Sequence, residues 1–131
     1  MKNKMRKITV KDNVYFYKVI SGHCYDDRAL AILEIYLEGC RYTPYVMNFH
    51  CRGDFYGGVP LSEGILLFNT QTHLAELVNL CRPYFVRLCI LKALEEEWDA
   101  SAKRMNDFGM QFLAELNLDI APIMPKVLQS K

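Results

Sequence analysis

The sequence predicts an α+β fold, in which an antiparallel sheet of four or five strands within about residues 7–68 is covered on one face by two C-terminal helices. Two observations support this fold class. Up to residue 68, apolar and polar residues alternate with the period of two that is typical of strands. Over residues 77–116, apolar residues recur at spacings of three and four, which place them on one helix face. The length favours one domain over residues 1–131, with extended or frayed tails at 1–6 and 118–131.

The strands are predicted from alternation and from the turn-forming residues between the alternating runs. Residues 7–10 and 14–20 flank a Lys-Asp-Asn turn and predict a hairpin. Residues 29–37 form a third strand, although their alanine, leucine and glutamate content also suits a helix. Residues 45–51 form a fourth, and residues 65–68 are either a short fifth strand or an apolar segment leading into the first helix. These runs supply the four or five strands of the sheet.

Two helices are predicted after the strands, over about residues 70–98 and 100–117. Pro83 lies inside the first, where its missing amide donor predicts a kink or a junction between two helices. One continuous helix over residues 70–117 would be about 70 Å long, more than twice the diameter of a domain this size. We therefore prefer a helical hairpin that turns near residue 100, while a second subunit covering one long rod is the alternative.

Composition and charge disfavour several classes of protein. Apolar residues make up 51 % of the chain and charged residues 24 %, a globular balance that argues against disorder. The formal net charge of +1 disfavours a nucleic-acid partner, because nonspecific binding to phosphates needs a basic excess. No apolar run approaches the ~20 residues that span a bilayer, and the basic start lacks the apolar core of an export signal. We therefore expect a soluble, cytoplasmic protein with no membrane partner.

No residue pattern indicates catalysis or a bound metal or cofactor. The pairs His23-Cys24 and His50-Cys51 lack the spacing of a structural zinc site, because adjacent residues of a strand point to opposite faces. No neighbouring group activates any of the five cysteines, which form an odd set without a regular framework. The acidic run at residues 95–99 is interpreted as a solvated helix end. The sequence thus predicts no catalytic residue, no metal ligand and no cofactor, and we expect that the protein is not an enzyme.

The candidate contact surface is a glycine-rich loop between Arg52 and Gly64, since long irregular loops in compact domains often carry function. The leading hypothesis is a non-enzymatic interaction or accessory module. The alternative is a small-ligand binding domain with a pocket between the sheet and the helices. A flat apolar patch would favour the first hypothesis, and inward tyrosine hydroxyls the second. The candidate ligand or partner contacts are Arg52, Asp54, Phe55, Tyr56, Tyr17, Tyr36 and His50.

Self-association is predicted from the length of the apolar helical pattern. A sheet of this size cannot cover two long helices, so part of the second helix is expected to remain exposed. A two-fold dimer would bury that part against its own copy. The predicted dimer interface consists of Met105, Phe108, Phe112 and Leu113. We therefore expect a homodimer, with an unidentified protein or small molecule as a further partner.

Overall fold

The computed structural model describes residues 5–23, 28–53 and 59–124, and it confirms the α+β fold class. Most of the strands precede the two longer helices, which lie in the C-terminal half. The elements in chain order are β1 (Arg6–Val10), β2 (Asn13–His23), β3 (Arg28–Leu37), β4 (Tyr45–Arg52), α1 (Pro60–Glu63), β5 (Ile65–Asn69), β6 (Leu74–Val78), α2 (Pro83–Glu95), β7 (Arg104–Asn106), α3 (Gly109–Glu115) and a 3₁₀ turn at Ala121–Ile123.

The main sheet has five strands in the order β1-β2-β3-β4-β7. Its first four strands form an antiparallel meander, and β7 adds to the edge of β4 in parallel. The turn between β1 and β2 consists of Lys11 and Asp12, whose φ angles of 50° and 69° suit the two-residue turns of tight hairpins. The predicted bounds of β1 to β4 are confirmed to within three residues.

The core lies on one face of this sheet. Ile35 of β3 pairs with Tyr17 of β2 and with Tyr45 of β4, so these three side chains share that face, where all are buried. Trp98 packs against the Tyr45 ring at a centroid distance of 5.8 Å, and Gly109 of α3 lies against Phe49 of β4. The segments after β4 therefore cover the core face. The opposite face, which we call the outer face, carries the alternate residues of each strand.

The predicted helix over residues 70–98 is wrong in its first half. Residues 65–78 form a separate antiparallel hairpin of β5 and β6, with Leu66 opposite Leu77. Asn69 fixes the turn, because its side-chain oxygen accepts the backbone N–H groups of Gln71 and Thr72 at 2.9 and 3.0 Å. His73, at a φ of 63°, ends the turn. The Asn69 side chain therefore closes a hairpin at the point where the first helix was predicted to begin.

Pro83 is the first residue of α2, so the predicted kink is wrong. Proline suits this position because the first helical amide has no partner within the helix and the fixed φ of proline is already helical. The preceding residue, Arg82, is extended. The helix is consequently 13 residues long and unbroken.

The predicted helix over residues 100–117 is also shorter, because its first part is extended. Ala100 has a φ of 70°, which ends any helix there, and β7 follows as an edge strand of the main sheet. Asn106 then accepts the Phe108 backbone N–H at 2.7 Å, just before α3 begins. The fifth strand of the main sheet is thus β7, while the predicted strand at residues 65–68 belongs to the second sheet.

The predicted tail from residue 118 is packed as far as residue 124. Leu118 and Ile123 are buried in the core. The backbone N–H of Asp119 donates to the Phe68 carbonyl at 2.8 Å, so this segment runs along the open edge of β5. Residues 1–4 and 125–131 lie outside the described residues. No helix within the described ranges is long and apolar enough to cross a membrane.

Candidate functional site

Tyr17, one of the predicted contacts, is a core residue. Its side chain is almost fully buried, and its hydroxyl donates to the Cys81 carbonyl at 3.5 Å. Burial raises the pKa of Tyr17 above the ordinary tyrosine value. This hydroxyl joins β2 to the segment that precedes α2, which is a structural role.

Tyr36, His50 and Arg52 lie on the outer face of the main sheet. The Tyr36 hydroxyl donates to Glu34 at 2.9 Å, and the His50 ring nitrogen lies 3.9 Å from a carboxylate oxygen of Asp107. These three predicted contacts therefore share one surface. Three further candidates in the glycine-rich loop, Asp54, Phe55 and Tyr56, lie outside the described residues, and their role stays a prediction.

The predicted dimer interface is divided between the surface and the core. Met105 and Phe108 are 54 % and 68 % exposed, whereas Phe112 and Leu113 are only 7 % and 1 % exposed. The reason is the close approach of α3 to the sheet, where Gly109 touches β4 and brings the next turn of the helix onto the core. Phe112 and Leu113 therefore cannot contribute an exposed interface.

A flat apolar patch lies instead on the β5–β6 hairpin. Leu66 pairs with Leu77 and Phe68 pairs with Ala75, so these four side chains share one side of the ribbon. Leu66, Phe68 and Leu77 are 65 %, 45 % and 46 % exposed, and Leu74, at the turn, is 66 % exposed. We call Leu66, Phe68, Ala75 and Leu77 the hairpin face. This face was not predicted from the sequence, because residues 74–78, which pair with 65–69, were predicted to be helical.

The other side of the hairpin attaches it to the core. Leu67 and Val78 are buried, and the Asn69 amide donates to the Glu76 carboxylate at 2.6 Å. On the β5 edge, the backbone pairs with residues 117–119. No strand of the described residues pairs with the outer edge of β6, which is left open beside the apolar face. The hairpin is therefore attached to the core on one side, while its other side remains exposed among the residues that the structure describes.

A polar pocket of about 300 Å³ lies between α2, β7 and α3. Its floor is a network around Glu96: the Tyr45 hydroxyl donates to one carboxylate oxygen at 2.7 Å, and the Asn106 amide donates to the other at 3.1 Å. Burial, followed by the hydrogen bond to Glu96, raises the pKa of Tyr45 well above its ordinary value. Glu96 belongs to the acidic run that was interpreted as a solvated helix end, and the structure places it at this floor.

The polar groups of this pocket mainly bond to one another. Lys92, at its wall, pairs with Glu95 at 3.4 Å and with Glu115 at 3.7 Å. The Asn106 amide also donates to the Tyr45 hydroxyl at 3.0 Å. These groups stabilise the junction of α2, β7 and α3, and a ligand would have to displace existing contacts to bind them.

No group of three or more His, Cys, Asp or Glu side chains within the described ranges is placed to hold a metal ion. The His23 side chain and Cys24 lie outside the described residues, so the prediction that this pair holds no metal stays a prediction. Cys89 is buried in the core, and burial raises the pKa of its thiol to about 12, which opposes nucleophilic chemistry.

Comparisons with protein-family models, curated proteins and solved structures found no match to this chain.

Proposed function

We propose that this protein is a non-enzymatic interaction module that forms a homodimer through the hairpin face. The observation that carries the proposal is the grouping of Leu66, Phe68 and Leu77 on one exposed side of a two-stranded ribbon. Single exposed apolar residues are common on soluble domains, but adjacent ones on a flat surface are typical of association sites. A flat apolar patch is also the feature that distinguishes an interaction module from a small-ligand site.

A second copy of the chain supplies an apolar face of the same size to cover this one. Complete burial of a Leu or Phe side chain gains about 1.5–3 kcal/mol, so covering the exposed halves of three such residues gains roughly 3–4 kcal/mol. A two-fold dimer buries two faces and doubles this gain to roughly 6–8 kcal/mol, which offsets much of the 4–15 kcal/mol that association costs. Hydrogen bonds along the open β6 edge would add to it.

The charge of the hairpin face supports the same partner. In a two-fold interface each residue near the axis meets its own copy, so a charged residue there would meet a like charge. Leu66, Phe68, Ala75 and Leu77 carry no charge, and self-association therefore brings no such repulsion. The outer face of the main sheet differs, because Lys18, Glu34 and Arg52 lie among its apolar residues.

The proposal is tested by measuring molar mass in solution by light scattering. The wild-type protein should be a dimer at micromolar concentration, and Leu66→Glu should be a folded monomer, because residue 66 is solvated when the partner leaves. Tyr42→Glu is the matched control: Tyr42 is 83 % exposed in the connection between β3 and β4, away from the hairpin. It should remain a dimer.

Two outcomes would contradict this interface. A wild-type chain that is monomeric at high micromolar concentration would remove the homodimer. A dimer that survives Leu66→Glu but dissociates on Phe108→Glu would move the interface to the exposed part of the surface first predicted near α3. Circular dichroism of each variant confirms that a change in mass does not reflect unfolding.

The alternative function, binding of a small ligand between sheet and helices, has one supporting observation, the pocket of about 300 Å³ at that position. Of the tyrosines and the histidine predicted to orient a ligand, none lines that pocket. Because Glu96 and Lys92 already contact protein groups there, we favour the interaction module.

A cytoplasmic location is part of the same proposal. It rests on the five cysteines, whose odd number and irregular spacing do not match the disulfide framework typical of secreted domains.

A further inference from the structure

A second groove lies on the outer face of the main sheet, at the corner formed by β1, β2 and the connection that follows β3. It encloses about 430 Å³, a volume within the range of small-molecule sites. Its position separates it from both the hairpin face and the polar pocket, since none of its residues belongs to either. Its lining includes Met5, Phe16, Lys18, Tyr36, Cys40 and Arg41.

Two aromatic rings form one wall of this groove. Phe16 and Tyr36 are direct cross-strand partners, so their side chains stand side by side on the outer face. Glu34 fixes the Tyr36 ring by accepting its hydroxyl hydrogen at 2.9 Å, and Lys18 lies 3.6 Å from the same carboxylate. The Tyr36 ring is therefore held in place before any ligand arrives, which lowers the entropy that binding has to overcome.

Cationic side chains border the aromatic wall. Lys18 is neutralised by Glu34, but Arg41 is exposed and forms no ion pair with any described residue. Lys7, the cross-strand partner of Phe16, is exposed on the same side of the sheet and also forms no ion pair within the described ranges. The guanidinium of Arg41 can donate two parallel hydrogen bonds to a carboxylate or a phosphate.

We propose that this groove binds a small aromatic anion, whose rings pack against Phe16 and Tyr36 while its acidic group pairs with Arg41. An anionic group is favoured because Arg41 lines the groove without an ion pair to any described residue, while the neighbouring carboxylate of Glu34 is already shared by Tyr36 and Lys18. A planar apolar body is favoured because the adjacent rings present a broad surface to it. The position of Gly39 shapes the rim, since its φ of +87° turns the chain back over the end of β3.

The probe is 2-naphthoate, titrated into the ¹⁵N-labelled protein and followed by amide chemical shifts. Saturable shifts are expected at Phe16, Gly39, Cys40 and Arg41. Arg41→Gln should weaken binding about threefold, the change expected for an exposed charge pair. The control is Arg87→Gln, an exposed arginine of α2 that does not line the groove, and it should leave the affinity unchanged.

Two comparisons separate this proposal from nonspecific binding to apolar surface. The neutral analogue 2-naphthalenemethanol should bind more weakly than 2-naphthoate, and equal binding would overturn recognition of the charge. Phe16→Leu should weaken both probes while the remaining amide spectrum stays native. Shifts that map to Leu66 and Leu77, or an absence of saturable shifts at millimolar probe, would overturn the assignment of the groove. The shifts expected at Phe16, Gly39, Cys40 and Arg41 do not depend on whether the chain forms a dimer, because none of these residues belongs to the hairpin face.

Discussion

Gly109→Ala should be among the most damaging conservative substitutions in this chain. A Cβ atom at position 109 would lie 2.6 Å from a ring carbon of Phe49 and 2.7 Å from the backbone carbonyl oxygen of Asn48. Carbon atoms in contact prefer separations of about 3.5–4.0 Å, so either α3 or β4 has to move by close to 1 Å. The carbonyl belongs to a strand of the main sheet and cannot turn aside as a side-chain end would.

The expected loss of stability is about 2–3 kcal/mol, at the upper end of the cost of overpacking a core. For a domain of this length that loss lowers the melting temperature by roughly 10 °C. Urea unfolding followed by the fluorescence of Trp98 measures the loss, because Trp98 is buried in the same core.

Gly22→Ala is the matched control for this substitution. Gly22 lies in β2, and no atom outside its chain neighbours comes within 4 Å of a Cβ built there. Its replacement should change the free energy of unfolding by less than about 0.5 kcal/mol. If the two variants prove equally stable, the close packing of α3 on β4 is refuted, and with it the reason for the burial of Phe112.

Three further predictions concern other parts of the fold. Phe112→Ala should cost about 3–5 kcal/mol in denaturant unfolding, whereas Phe108→Ala, at an exposed site, should cost less than about 1 kcal/mol. Pro83→Ala should change stability by no more than about 1 kcal/mol and leave the helical circular dichroism unaltered, because Pro83 begins α2 rather than interrupting it. The raised pKa of Tyr45 means that the folded state holds this proton more tightly than the unfolded state does, so stability should fall as the pH rises past 10.0. Tyr45→Phe should make that alkaline loss shallower when unfolding is measured at several pH values.

The meander of β1 to β4 is the part of the fold that the sequence specifies most clearly. Buried and half-buried residues alternate along most of β3, and β-branched and aromatic residues fill more than half of β1 and of β2. The turns contain residues that tolerate a positive φ, such as Asp12 and Gly39. Period and turn chemistry agree along this half, so the predicted strand bounds are confirmed.

The hairpin of β5 and β6 could not be separated from a helix by periodicity alone. Leu74, Leu77 and Val78 satisfy the three-and-four spacing of a helix face, yet Leu74, Glu76 and Val78 also form one side of a strand. Asn69 suits a helix cap and a tight turn equally well. The decisive contact is tertiary: residues 117–119 pair with β5, and no local pattern reveals that pairing.

The candidate surfaces were also predicted from the sequence only in part. Tyr36 was predicted as a ligand or partner contact, and it lines the groove on the outer face. The hairpin face, in contrast, depends on the pairing of Leu66 with Leu77, which was hidden by the helix prediction. Glu96 and Tyr45 are 51 residues apart, and their hydrogen bond follows from the path of the chain through the hairpin and α2. Such distant pairs cannot be read from one sequence.

The parallel pairing of β7 with β4 has a consequence for the growing polypeptide. β4 ends at Arg52 and its edge partner begins at Arg104, so a ribosome adding 5–20 residues per second completes β4 about 3–10 s before β7 exists. Throughout that interval the backbone of Tyr45–Met47 presents unpaired donors and acceptors to other nascent chains. Slower translation lengthens the interval. In a product truncated before Arg104, β7 is absent and the edge of β4 stays unpaired. Aggregation of this protein in cells is therefore expected to begin at the edge of β4 and to be most severe for incomplete chains.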